Sequence, residues 1–187
     1  MEQTNLFQRL GVMFSAKSDE HYTPDDILKR VYCCFGFAGV TLDPCSNSKN
    51  PELANVKADS YYTIEDNGLN KPWVGNIYLN PPYSDNKKWI PRIVGAFESG
   101  EIDQAIILVP ARTSENWFQP LYKYPLCFIK NRLTFKTSKE AYASHNAPFP
   151  SVLIYLGSNG KKFIDSFEDI GNICYSLDCK QPFVRSL

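Results

Sequence analysis

The chain has 187 residues, of which 43% are hydrophobic, 14% aromatic and 21% charged. These are the proportions of one globular domain, not of a fibre, a coiled coil or a disordered tail. Lysine plus arginine and aspartate plus glutamate balance at 20 each, which argues against tight non-specific binding of nucleic acid.

Residues 1–18 read as a loose lead-in to a single domain that takes up the chain, 1–187. The N-terminus lacks the charged and apolar regions of a signal peptide, so the cytoplasm is the default compartment. Thr23-Pro-Asp-Asp has the form of a helix start, with Thr23 as N-cap and Pro24 at the first helical position. Ile27, Leu28, Val31 and Tyr32 then share one face, and the helix stops near Gly36. Val40–Asp43 reads as a short strand that ends in Asp-Pro. Residues 44–60 read as loop, Asp59–Thr63 as another strand and Glu65–Gly68 as a turn. Gly75–Leu79 is a strand that runs straight into Asn80-Pro-Pro-Tyr83. Lys87–Gly100 has helical spacing, with Trp89, Ile93, Val94 and Phe97 on one side. Gln104–Val109 is the continuous apolar run of a buried parallel strand. Ser114–Tyr122 reads as a short helix capped by Ser114. Leu126–Ile129 and Ser151–Leu156 read as a late pair of strands, with a basic insertion, 130–147, between them. Residues 161–170 suit a last short helix.

Strands that alternate with helices give an α/β fold with a mostly parallel sheet. Ligands in such sheets collect beyond the carboxyl ends of the strands. Asp43, Asn80 and Pro110-Ala-Arg112 each stand at such an end, so a shared site is expected there.

Two side-chain counts narrow the chemistry. Only two histidines, His21 and His145, are present, and the six cysteines form no C-x-x-C pair. No metal is therefore expected, and the thiols are read as reduced. Charge is also uneven: residues 1–70 carry a net −4, residues 71–139 a net +5 and residues 140–187 a net −1. Lys123, Lys130, Arg132, Lys136 and Lys139 follow one another with no acid between them. This segment would attract a phosphate backbone, while its plainer reading is a solvated face.

Asn80-Pro-Pro-Tyr83 is the most specific signal. Two prolines restrict the backbone of the turn and of the residue before each. A rigid corner at a strand end can aim the Asn80 side-chain oxygen and the Pro81 carbonyl at the two hydrogens of an amine, with Tyr83 as a stacking platform for the ring that bears it. An aromatic amine is a poor nucleophile because its lone pair is delocalised. Two acceptors on its hydrogens favour a pyramidal nitrogen whose lone pair can attack. No acid–base histidine is needed for this.

Spaced along the chain, His21-Tyr-Thr-Pro24, Leu42-Asp-Pro-Cys45, Tyr61–Leu69, Trp73, Asn80-Pro-Pro-Tyr-Ser84, Leu108–Thr113 with Trp117-Phe118, and Ala147–Ser151 resemble the small phage-type DNA N6-adenine methyltransferases. The resemblance implies a Rossmann-like methyltransferase fold with a late antiparallel strand. It also implies S-adenosylmethionine as methyl donor and adenine in DNA as acceptor. Carried over residue by residue, Tyr22, Thr23, Asp43, Cys45 and Asp66 contact the donor, with Asp66 accepting from its adenine amine. Asp59 and Glu65 are both open for its ribose. Asn80, Pro81, Pro82 and Tyr83 carry the catalysis, and the adenine is extruded against Tyr83. Arg112, Lys130 and Arg132 are the expected DNA contacts. The sequence leaves two other acceptors open, a protein glutamine or N4 of cytosine, and also a catalytically silent DNA-binding protein on the same fold. Asp43-Pro-Cys departs from the glycine-rich turn of many methyltransferases.

Overall fold

The computed structural model describes residues 21–136 and 144–176. The N-terminal lead-in, Lys139 and Cys179 lie outside them.

Seven strands form one sheet in the order β2-β1-β3-β4-β8-β5-β9. They are β1 Val40–Asp43, β2 Ala58–Tyr61, β3 Asn76–Leu79, β4 Gln104–Pro110, β5 Leu126–Ile129, β8 Ser151–Leu156 and β9 Gly171–Cys174. The pairs β1/β2, β1/β3 and β3/β4 are parallel. Strand β8 is antiparallel to both β4 and β5, and β9 is antiparallel to β5. This is the mixed sheet that the resemblance implied, with its antiparallel part at the end of the chain. Strand β9 was not foreseen. Its Gly171-Asn-Ile-Cys174 has too few apolar residues to stand out, and β5 templates it. Two further strands, β6 Thr134–Lys136 and β7 Ser144–Asn146, form a separate antiparallel hairpin inside the basic insertion.

The pleat divides the apolar residues between two cores. On one face Tyr78, Ile106 and Leu108 pack with helices α1 (Asp25–Phe35) and α3 (Gly160–Phe167). On the other, Ile77, Leu79, Ile107 and Val109 pack with α2 (Asn86–Glu98). A strand covered on both faces needs no polar alternation, which is why β4 reads as an unbroken apolar run. Strand β3 is entered through Gly75, whose φ of +69° suits a residue without a side chain. A Cβ there would also meet Thr41 Oγ1 at 2.5 Å.

Two local expectations are corrected. Helix α1 begins at Asp25 with Pro24 at the N-cap position, and no side chain caps it. Thr23 is therefore not the cap; it is fully buried, and its hydroxyl points at Tyr78. Ser114–Tyr122 forms turns that lead into a short 3-10 helix, Gln119–Lys123. The Thr113 carbonyl draws this segment back by accepting from both Gln119 Nε2 and Tyr122 Oη, at 2.9 and 3.2 Å.

The directions of β1, β3, β4 and β5 bring their carboxyl ends to one edge. Asp43, Asn80 and Arg112 all stand at that edge, but Asp43 and Asn80 line one cavity there and Arg112 another.

Candidate active site

Asn80 leaves β3 and turns back towards the start of α1. Its Nδ2 donates to the His21 carbonyl at 2.7 Å and to Thr23 Oγ1 at 3.1 Å. A main-chain carbonyl only accepts, so the nitrogen must face His21 and the orientation of the amide is fixed. Thr23 Oγ1 lies 2.9 Å from Tyr78 Oη. Burial keeps that phenol well above its ordinary pKa and hence neutral. Asn55 Nδ2 donates to the Thr23 carbonyl at 3.2 Å and ties down the same short segment. Asn80 Oδ1 is left buried with no hydrogen-bond partner among the described residues. An unmatched buried carbonyl costs about 1–3 kcal/mol, so an N–H donor brought to it is stabilised.

Two cavities flank this corner. The first, about 740 Å³, is lined by Tyr22, Thr23, Asp43, Cys45, Asn80 and the turn around Gly68, among others. Its size lies within the roughly 300–1,000 Å³ of small-molecule sites. Asp43, 4% exposed, accepts from the Cys45 N–H at 3.1 Å. Burial raises its carboxyl to about 7, against opposing hydrogen bonds from Cys45 and Ser46. Burial also keeps the Cys45 thiol protonated, and the nearby Asp43 adds to this. A buried carboxylate that gains from a cation, an apolar rim at Ile64 and a free acceptor at Asn80 suit a ligand with an ammonium group and a flat ring.

Gly68 shapes the far wall. A Cβ at this position would collide with the Pro44 carbonyl. The Gly68 carbonyl accepts from Trp73 Nε1 at 2.9 Å, which pins the turn to the core. Asn55, Ile64, Gly68 and Tyr78 carry no chemical signature in sequence; only the turn residues Asn67-Gly68 hinted at a special backbone. Asp66 does not join this group. Its carboxylate is turned onto the Thr63 N–H and hydroxyl and onto Lys49 Nζ, at 2.9, 3.0 and 2.6 Å. Those partners, Lys49 first, hold it at about pKa 2. In this ligand-free arrangement its carboxylate closes the turn whose neighbours Thr63, Ile64 and Asn67 line the cavity.

The second cavity, about 670 Å³, is lined by Tyr83, Ser84, Asn86, Lys87, Arg112, Trp117 and Phe149, among others. Ser84 borders both cavities. The Arg112 guanidinium lies 4.9 Å from the centroid of the Phe149 ring in the wall of this cavity. Tyr83, expected as a stacking platform, is covered in the absence of a ligand. It is 5% exposed, with His21 at 4.6 Å and Phe149 at 6.1 Å between ring centroids. Trp89 is buried in the core as expected, while Trp117 is half-buried at the rim.

The basic run does not form one surface. Lys123 lies at the opposite edge of the sheet, paired with Glu98 at the end of α2. Lys136 pairs with Asp25 at 2.6 Å. Lys130 and Arg132 follow the end of β5 and donate to the carbonyls of Asp169 (3.2 Å) and Ala147 (3.0 Å). Among the described residues no group of His, Cys, Asp or Glu could hold a metal ion, and no helix is long and apolar enough to cross a membrane.

Fold and corner together define an α/β protein built to present an amide acceptor between two strand-end cavities. The chain belongs to the DNA N-6-adenine-methyltransferase (Dam) family, whose model matches residues 13–173, from before α1 into β9. Its class is therefore that of transferases that methylate adenine N6 in DNA. No curated protein matches the chain.

Proposed function

We propose that this chain transfers a methyl group from S-adenosylmethionine to N6 of an adenine at a specific site in DNA. One observation carries the reading: the Asn80 amide is locked through its nitrogen, which leaves its oxygen as an unmatched acceptor beside a cavity of cofactor size. Bound in that cavity, S-adenosylmethionine would supply an electrophilic methyl on a positively charged sulfur. Tyr22, Thr23, Asp43 and Cys45 are its proposed contacts, with Asp43 opposite the ammonium group.

Asn80 Oδ1 and the Pro81 carbonyl then hold the amine hydrogens, and Pro82 keeps the corner stiff. With its hydrogens so held, the nitrogen would keep its lone pair free to take the methyl group, and the methylated amine would pass its surplus proton to water. Holding the reactants in line supplies much of the acceleration. Arg112, Lys130 and Arg132 supply the DNA contacts, and the acceptor base arrives extruded from the duplex.

The test is transfer of a labelled methyl group to a defined plasmid, followed by mapping of modified bases. Label at adenine N6, abolished by Asn80→Ala, is the expected result. Label confined to protein or to cytosine N4 would overturn the reading. DNA binding without transfer would mark a catalytically silent relative.

A further inference from the structure

Tyr83 cannot receive a base as it stands. It is 5% exposed, and the nearest of the rings described against it is that of His21. The imidazole lies 4.6 Å from the Tyr83 centroid and 4.8 Å from that of Phe135, inclined by 35° to each. Tyr83 and Phe135 are themselves 6.3 Å apart at 70°, so the two rings form a wedge and His21 fills it. Phe135 comes from β6, in the hairpin that the isolated bridge Tyr22–Lys136 fastens to the same strap of chain.

We propose that the His21 side chain is a stand-in for the target base, occupying between Tyr83 and Phe135 the place that an extruded purine takes on binding. The proposal rests on the reading of the chain as a DNA methyltransferase. Three features support the exchange. The ring is half-buried and borders the larger cavity, so it has somewhere to go. Its backbone does not need to follow, because the His21 carbonyl is held by Asn80 and Tyr22 by its bridge. Finally, the ring pair divides the two cavities, the first bordered by His21 and the second by Tyr83. A base in the wedge would reach both. Exchanging one aromatic partner for another spares Tyr83 from contact with water and lowers the cost of taking a base out of its stack.

The test compares His21→Ala and His21→Trp with the wild type on duplexes that carry the mapped site, with 2-aminopurine at the target position as a probe of extrusion. Emptying the wedge is expected to lower KM for DNA by about 2- to 12-fold, the range of one aromatic contact, and to raise the fluorescence of the bound probe. The bulkier Trp is expected to raise KM. It decides the matter if the alanine variant melts too low to assay. Unchanged KM in a folded variant, or a loss confined to kcat, would overturn the proposal. A wild type that methylates no DNA would instead remove the functional reading beneath it.

Discussion

The most discriminating perturbation is Thr23→Val. Sequence spacing makes Thr23 a helix cap; the structure makes it the hinge of a buried Tyr78–Thr23–Asn80 chain. Valine keeps the shape and removes only the hydroxyl. Tyr78 Oη and one Nδ2 hydrogen of Asn80 then lose their partner at a position where Thr23 is 0% exposed. Two such losses cost about 2–4 kcal/mol together. For a chain of this length that lowers Tm by roughly 4–16 °C. The Asn80 amide would keep its bond to the His21 carbonyl but lose its second anchor, so kcat is expected to fall about 5- to 10-fold, equivalent to one hydrogen bond. Thermal melts and labelled methyl transfer read the two effects, and Thr23→Ser should restore most of both. A cap acts on stability alone and leaves the reaction untouched. Were Thr23→Val to keep wild-type kcat, the idea that this hydroxyl orients Asn80 would be wrong.

Other consequences follow from the same site. Burial raises the Asp43 carboxyl from 3.8 to about 7, so the folded chain holds a proton that the unfolded chain releases. Its contribution to stability is full below pH 4 and is lost as pH rises to about 7, with a limiting slope of roughly 1.4 kcal/mol per pH unit. Asp43→Asn should therefore gain on the wild type in urea melts from pH 5 to pH 8, and equal slopes would contradict the burial argument. Binding of a cationic donor should release that proton below pH 7, measurable as a dependence of binding heat on buffer. Gly68→Ala sets a Cβ against the Pro44 carbonyl; it should cost about 1–3 kcal/mol in denaturant melts and weaken donor binding by displacing the cavity wall. Arg112→Ala should reduce the salt dependence of DNA affinity by about one unit of slope, whereas Lys123→Ala, at the far edge, should leave it unchanged. Equal effects of the two would return the basic run to a single surface.

Sequence alone determined what depends on neighbours along the chain. Apolar runs and helical spacing set most of the α/β order. Strand ends placed Asp43, Asn80 and Arg112 on one edge, and two prolines marked the stiff corner. Long-range packing decided the rest. Thr23 meets Tyr78 and Asn80 across 55 and 57 residues, and no local pattern encodes such contacts. The same holds for the burial of Tyr83 beneath His21 and Phe135. Asp66 has the residue type and place of a ligand contact, yet Lys49 and Thr63 satisfy its carboxylate within its own turn. The basic run is contiguous in sequence but divides in space, because β5 crosses the sheet and carries Lys123 and Lys130 to opposite edges. A side chain's chemistry can be read from its type, but its partners are chosen by whichever distant groups the fold brings within about 3 Å, since a hydrogen bond needs that approach and that direction.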